Sequence, residues 1–293
     1  MPLLSDAYAD LNGVRLHYVF AGEGKLILFL HGFPEFWYAW RNQLLEFGAD
    51  YLAAAPDLRG YNLSSKPAAI DQYRIDLLIE DVRAFAAALG YSRFILVGHD
   101  WGGGVAWAFA LEHPECLEKL IVVNMTHPGI FARELRENPK QQQASSYMIW
   151  FQTSEAEARL AANGYEELVE TVLNPGLSQG YFTEEDCIAY VSAWSQPGAI
   201  TGGLNYYRAA KLGPMRPGGP QGGNYAADPK SLKVEVPTLV IWGEKDPYLL
   251  PGNLEGLDEF VPDLTIKRIP DGTHWVLHKQ PNLVNRYIRE FIA

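Results

Sequence analysis

One aspartate stands between a buried strand pattern and a run of glycines. Residues 98–102 read Gly-His-Asp-Trp-Gly, after the apolar stretch 94–97, and an apolar helical pattern follows over residues 105–111. Small residues two positions on either side of Asp100 permit a sharp strand-to-helix turn that pushes its side chain forward, as in a nucleophile elbow. The next helix N-terminus favours an anion there. Although Gly-x-Asp-x-Gly also occurs in ordinary turns, the pattern predicts Asp100 as a carboxylate nucleophile.

A base and an orienting acid follow later in the chain. A carboxylate nucleophile forms a covalent ester, which a base must resolve with the help of an orienting partner. Asp246 follows the strand pattern at residues 237–242, and His274 follows the one at residues 264–269. The chain order of nucleophile, acid and histidine is one that enzymes with such an elbow use. Asp100, Asp246 and His274 are therefore the predicted triad.

Other residues compete for the roles of acid and base. Glu244 is a rival acid and His127 a rival base, since both lie close to predicted strand ends. The strand at residues 120–123 ends in Asn124 with no carboxylate nearby, which favours Asp246 as the acid.

The order of strand and helix patterns indicates an α/β fold. A hairpin signal surrounds Asn12-Gly13, strands are predicted at residues 25–30, 52–56, 94–97, 120–123, 237–242 and 264–269, and helices at 37–47, 78–89 and 281–291. Near-continuously apolar strands that alternate with helices form a mostly parallel sheet that is covered on both faces. Ligands in such folds bind at the carboxyl ends of the strands, where the predicted triad lies.

The alternation stops in the middle of the chain. Helices without strands are predicted around residues 145–153, after a capping-box-like start at 183–186, and around residues 204–212. Residues 213–223 are a loop rich in Pro and Gly. We therefore expect a core domain of residues 1–128 and 231–293 with an inserted helical cap of residues 129–230.

Composition excludes several classes of function. With 24 basic against 35 acidic residues the net charge is −11, which argues against a nucleic-acid partner. No apolar run approaches the ~18 residues that a membrane span needs, and the N-terminus lacks an export-signal pattern. Two distant cysteines, Cys116 and Cys187, do not suggest a disulfide framework. The seven histidines show no zinc-binding spacing. The composition predicts a soluble cytoplasmic protein.

Four segments resemble α/β-hydrolase-fold epoxide hydrolases. The segments are 31–41 (His-Gly-Phe-Pro-Glu-Phe-Trp-Tyr-Ala-Trp-Arg), 57–61 (Asp-Leu-Arg-Gly-Tyr), 98–103 (Gly-His-Asp-Trp-Gly-Gly) and 272–275 (Gly-Thr-His-Trp). Their order and spacing are similar to those of the family over nearly the whole chain. The resemblance implies the α/β-hydrolase fold, a small apolar epoxide and water as substrates, and no cofactor or metal. It allows a homodimer as the assembly.

The predicted cap carries a further resemblance. Residues 146–152 and 204–208 are similar to the two cap segments that give epoxide hydrolases their paired tyrosines, which implies Tyr147 and Tyr207. The phenols would donate to the epoxide oxygen while Asp100 attacks carbon, and the backbone amides of Phe33 and Trp101 would form the oxyanion hole.

Two other functions are consistent with parts of the pattern. A haloalkane or fluoroacetate dehalogenase would use the same triad, and the Trp101 indole could bind a halide. Phe33 stands where haloalkane dehalogenases often have Asn, and Trp101 and Gly104 stand where fluoroacetate dehalogenases have arginines. Paired tyrosines have no use in halide release, so epoxide hydrolysis is favoured. A non-catalytic ligand receptor on this fold predicts a broken triad, and none is broken here.

Overall fold

The computed structural model describes residues 2–214 and 232–293. Eight strands form one sheet: β1 (Ser5–Asp10), β2 (Arg15–Ala21), β3 (Leu26–Leu30), β4 (Leu52–Pro56), β5 (Phe94–His99), β6 (Leu117–Val123), β7 (Thr238–Gly243) and β8 (Leu264–Ile269). Their order across the sheet is β1-β2-β4-β3-β5-β6-β7-β8. The hairpin β1–β2 and the pair β2–β4 are antiparallel, and all later pairs are parallel. The predicted α/β fold with a mostly parallel sheet is confirmed.

Five helices in the described part of the chain accompany these strands, three of them between strands and two after β8. They are α1 (Arg41–Phe47), α2 (Ile75–Ala88), α3 (Trp101–Glu112), α12 (Val276–Lys279) and α13 (Pro281–Ile292). Alternate strand residues pack on opposite faces of the sheet: in β3, Ile27 and Phe29 join one apolar cluster, whereas Leu28 and Leu30 join the other. One cluster lies beneath α1 and α13, and the other contains residues of α2 and α3. Cover on both faces explains why the central strands are apolar throughout.

The chain between β6 and β7 contains eight α-helices among the residues that the structure describes. They are α4 (Pro128–Glu137), α5 (Pro139–Ala144), α6 (Tyr147–Trp150), α7 (Ala156–Ala161), α8 (Glu166–Leu168), α9 (Asn174–Gln179), α10 (Glu184–Trp194) and α11 (Ala199–Ala210). We call this stretch the helical insert. Within residues 2–214 and 232–293, none of the helices has the length and apolar character needed to cross a membrane.

Three predictions about the insert need correction or qualification. The predicted helix around residues 145–153 is only the single turn of α6, and the predicted helix around 204–212 begins earlier, at Ala199. The capping box at Thr183 is present, with Asp186 bonded to it in both directions. Most of the predicted loop at residues 213–223, and the cap boundary at 230/231, lie outside the described residues. Short helices contain too few turns to give a clear hydrophobic periodicity in the sequence, so their bounds are hard to predict.

Candidate active site

The turn at Asp100 is sharper than the sequence predicted. Asp100 alone adopts φ 50° and ψ −124°, and α3 begins at the next residue rather than at Val105. The glycines therefore lie inside the helix, against their low helix propensity. A Cβ at Gly102 would collide with the carbonyl oxygen of Leu30, and one at Gly98 with that of Gly102. Close packing of helix against strand explains why both positions carry glycine.

The side chain of Asp100 points at the loop after β3. Its Oδ1 accepts a hydrogen bond of 2.8 Å from the backbone N–H of Phe33. A Cβ at Gly32 would collide with the Asp100 carboxyl group, so this loop approaches Asp100 as closely as glycine allows. The backbone amide of Trp101 opens α3 directly behind Asp100. Of the two amides predicted for the oxyanion hole, that of Phe33 is bonded to the carboxyl group of Asp100, and that of Trp101 belongs to the next residue in the chain.

The structure places His274 between Asp246, the predicted acid, and Asp100, the predicted nucleophile. Its Nδ1 lies 2.8 Å from Oδ2 of Asp246, so this nitrogen carries a proton and donates it. Its Nε2 faces Oδ2 of Asp100 at 3.7 Å. Burial by itself lowers the pKa of His274, but the carboxylates of Asp246 and Asp100 outweigh burial and raise it to about 9. The ring can therefore hold a proton while Asp100 is charged.

Asp246 is held by a set of donors that includes one residue the sequence analysis missed. Its Oδ1 accepts from the backbone N–H groups of Tyr248 at 2.8 Å and Leu249 at 3.1 Å. Its Oδ2 accepts from Nδ2 of Asn124 at 2.7 Å. Burial favours a raised pKa, yet His274 and these backbone donors lower the pKa of Asp246 overall. Asn124, to which the sequence pattern assigns no role, directly follows β6 and orients the Asp246 carboxylate.

The two predicted tyrosines face the same space from the insert. Tyr147 begins α6 and Tyr207 lies on α11, and their ring centroids are 6.2 Å apart. Tyr207 packs edge-on against Trp101, with centroids 5.0 Å apart. Desolvation is the largest cause that raises the pKa of both phenols well above 10; Asp100 comes next for Tyr147, and Tyr147 and then Asp100 for Tyr207. Both hydroxyls therefore keep their protons at neutral pH.

A cavity of about 410 Å³ lies between the triad and the insert. Its lining combines the groups described above with mostly apolar side chains of the insert: Phe33, Pro34, Asp100, Ser146, Tyr147, Trp150, Phe151, Arg159, Leu160, Glu167, Leu168, Thr171, Val172, Tyr207, Tyr248, His274 and Trp275. An apolar cavity with a few convergent polar groups is the usual form of a small-molecule site. Within the described parts of the chain, no group of three or more His, Cys, Asp or Glu side chains could hold a metal ion.

The rival residues have structural roles elsewhere. His127 caps α4 by accepting from the N–H of Gly129, and burial lowers its pKa to about 4. Glu244 pairs with Arg268 at 3.1 Å at the surface. Tyr206, next to Tyr207, donates its hydroxyl to the carbonyl oxygen of Arg59 at 2.9 Å. These side chains are therefore bound to partners outside the cavity.

Residues 25–281 match the α/β hydrolase fold family, so the chain belongs to that family. It is 39% identical over 292 residues to epoxide hydrolase 4 of Mus musculus, which covers 96% of this chain and 77% of that protein. Epoxide hydrolase 1 of Caenorhabditis elegans is 38% identical over 293 residues, covering 97% of this chain and 69% of the relative.

A solved structure gives the same result. The Bacillus megaterium epoxide hydrolase, crystallised with an inhibitor, superposes with a TM-score of 0.89 at 40% identity, covering 98% of this chain and 99% of that one. Within the α/β hydrolases, the chain therefore belongs to the epoxide hydrolase family.

Proposed function

We propose that the protein opens epoxides to vicinal diols through a covalent ester on Asp100. The observation that carries this proposal is the convergence of a carboxylate, two protonated phenols and a histidine on one mostly apolar cavity. A serine at the elbow would attack esters or amides, whereas a carboxylate displaces at a saturated carbon with a strained or good leaving group. The epoxide hydrolases to which the chain is similar support the same reaction.

In the first step, an oxygen of Asp100 attacks an epoxide carbon. The new carbon–oxygen bond forms as the ring carbon–oxygen bond breaks, and the ring oxygen takes a proton from Tyr147 or Tyr207. Phenols suit this role because they stay protonated at neutral pH and yet can donate to a developing alkoxide. The raised pKa of Tyr147 and Tyr207 keeps both phenols protonated at neutral pH. The product of this step is an alkyl ester of Asp100.

Formation of the ester changes the charge that His274 experiences. The free carboxylate of Asp100 helps to hold the pKa of His274 at about 9. The ester is neutral, so this contribution vanishes, the pKa of His274 falls, and the ring can release its proton to restore the phenol. Formation of the ester on Asp100 thereby allows His274 to act as the base in the next step.

In the second step, neutral His274 deprotonates a water that attacks the carboxyl carbon of Asp100. Asp246 orients the ring and stabilises the imidazolium that forms. The N–H groups of Phe33 and Trp101 stabilise the oxyanion, each donor contributing roughly 3 kcal/mol. Collapse of this intermediate releases the diol and regenerates the carboxylate.

The helical insert takes the role of a cap in this proposal. We assign residues 129–230 to the cap, with residues 1–128 and 231–293 as the core. The core supplies nucleophile, acid and base, whereas the cap supplies the phenols and most of the apolar lining. The cavity lining favours a small apolar epoxide.

A side-by-side assay tests the proposed reaction. The purified protein is given a styrene-oxide-type epoxide, a haloalkane and fluoroacetate, and diol and halide are measured. We expect diol from the epoxide and little halide from the other two. Halide release without diol would identify a dehalogenase instead, and epoxide binding without turnover would identify a receptor.

A further inference from the structure

A second buried polar cluster lies behind the triad, and the proposed reaction does not use it. At its centre is Glu35, which is 1% exposed and lies two residues after Phe33. Its Oε1 is 2.6 Å from Nε2 of His278 and 2.8 Å from the hydroxyl of Tyr190. Its Oε2 is 3.2 Å from Nδ1 of His99. Buried carboxylates need such partners, because an unpaired buried charge is costly.

The donors and acceptors around this cluster fix the positions of its protons. Arg41 can only donate, so Nδ1 of His278, 3.1 Å from its guanidinium, accepts, and Nε2 of His278 donates to Glu35. Nε2 of His99 lies 2.9 Å from the carbonyl oxygen of His274 and must donate to it. The other nitrogen of His99, Nδ1, faces Oε2 of Glu35.

These contacts connect Glu35 to the proposed base. His99 immediately precedes the nucleophile Asp100, holds the backbone of His274, and places its ring 4.6 Å from the His274 ring. Burial opposes the charge of Glu35, but His278 and His99 outweigh it and keep the pKa of Glu35 well below its ordinary value. The negative charge of Glu35 also raises the pKa of His274, after the contributions of Asp246 and Asp100.

One face of the cap helix α10 contacts this cluster at three points. Asp186, Tyr190 and Trp194 are four residues apart and therefore share a helix face. Asp186 pairs with Arg41 at 3.0 Å, and Tyr190 donates to Glu35. Trp194 donates its indole N–H to the carbonyl oxygen of Pro34 at 2.6 Å. The cap is thus bonded to Pro34 and Glu35, the two residues that follow Phe33, and to Arg41 at the start of α1.

We propose that Tyr190 is a positioning residue through which the cap, by way of Glu35, sets the location and charge environment of His274. This proposal rests on the proposed function, because its effect falls on the ester-hydrolysis step. The hydroxyl of Tyr190 fixes the Glu35 carboxylate, Glu35 fixes His99, and His99 fixes the His274 backbone. The groups that face Glu35 are His99 from the elbow, His278 from α12 and Tyr190 from α10, with Arg41 and Asp186 behind His278.

A double-variant cycle tests this chain of contacts. Tyr190→Phe keeps the ring and removes the donor, Glu35→Gln removes the charge, and the double variant combines them. Single-turnover kinetics separate ester formation from ester hydrolysis across pH. We expect Tyr190→Phe to slow hydrolysis roughly three- to tenfold, the size of effect seen at network positions away from the ligand. Ester formation should change much less.

The pH profile and the cycle distinguish positioning from a general loss of packing. Glu35→Gln should move the midpoint of hydrolysis to lower pH, because the lost charge no longer raises the pKa of His274. Tyr190→Phe should move it in the same direction by less, since a Glu35 carboxylate that has lost one of its donors binds a proton more readily. In the Glu35→Gln background, Tyr190→Phe should add little.

The matched control is Tyr181→Phe, a partly exposed tyrosine of the same insert, which should leave both steps and the midpoint unchanged. Wild-type rates and midpoint in Tyr190→Phe, or an effect that adds in full to that of Glu35→Gln, would overturn the inference. If Tyr190→Phe does not fold, Asp186→Asn, which weakens the pair with Arg41, enters the same cycle with the same expectations. A wild-type protein that forms no ester would instead overturn the proposed function.

Discussion

The core and the helical insert hold their functional side chains in different ways. In the core, Asp246 accepts two backbone N–H groups and the amide of Asn124, and donors of this kind leave the carboxylate one orientation. In the insert, Tyr147 sits on a helix of one turn, and residues 163–165 all have positive φ. A stretch of π-helix, Val169–Leu173, follows.

This difference indicates a division of labour. Side chains at the ends of paired strands keep their positions because the sheet register fixes them, which suits the nucleophile, acid and base of the proposed reaction. Short helices joined by strained turns can shift relative to one another, which suits a surface that shapes substrate. Loss of a reacting group of the core should therefore nearly stop a step, whereas single changes in the insert should slow a step to a degree that depends on the epoxide.

Loss of the nucleophile should have the largest effect. We expect Asp100→Asn to lower kcat by at least about 10⁴-fold, because no ester can form. Diol is measured with a freshly purified sample, and intact mass is followed over days as the control for slow deamidation to Asp. Retained diol formation at the first time point would rule out Asp100 as the nucleophile.

Loss of the base should stop the reaction halfway. We expect His274→Gln to form the ester but to hydrolyse it about 10²- to 10⁴-fold more slowly. Intact mass should rise by one substrate mass after addition of epoxide. The Asp100→Asn protein treated in parallel should show no adduct. An unchanged mass in His274→Gln would argue against a covalent route.

The tyrosines of the insert should have a graded effect. Tyr147→Phe and Tyr207→Phe should each slow epoxide opening about 10- to 100-fold, and the double variant by about 10²- to 10⁴-fold, within the range of general acids. Opening is measured as the rate of ester formation in single turnover. The control is Tyr206→Phe, whose hydroxyl bonds Arg59 outside the cavity. Full rates in both single variants and in the double variant would show that the phenols do not donate.

A smaller effect is expected at the residue that orients the acid. Asn124→Ala removes one donor from Asp246 and should slow ester hydrolysis about tenfold, the lower end of the cost of losing an outer-shell partner. Ester formation should keep its rate, because the side chain of Asn124 hydrogen-bonds to Asp246 and Gly243 and to neither Asp100 nor the phenols. An equal loss of rate in ester formation and ester hydrolysis would show that Asn124 acts through folding rather than through Asp246.

The sequence predicted the core far better than the insert. Apolar strand runs and the residues that follow them were enough to place Asp100, Asp246 and His274 at one sheet edge, since parallel strands end together. Asn124 was noticed at the same edge but set aside, because only carboxylates were considered there. The pairing of Asn124 with Asp246 depends on the neighbouring positions of β6 and β7, which the sequence does not give.

The insert and the Glu35 cluster show what the sequence could not give. Tyr147 and Tyr207 were found by family resemblance alone, since nothing in their spacing distinguishes them from packing tyrosines. Glu35, His99 and His278 lie far apart in the chain and meet in the folded core, and Tyr190 joins them from the helical insert. These contacts form only in the tertiary structure, so no local periodicity in the sequence indicates them.

One measurement tests the covalent route most directly. Wild-type protein in excess over an epoxide is allowed a single turnover in water enriched in ¹⁸O, and both the diol and the peptide that contains Asp100 are analysed by mass. We expect an unlabelled diol, because its new oxygen comes from the Asp100 carboxylate, and label in that peptide. A diol that carries ¹⁸O after the first turnover, with an unlabelled Asp100 peptide, would mean that water attacks the epoxide directly and would contradict the ester on Asp100.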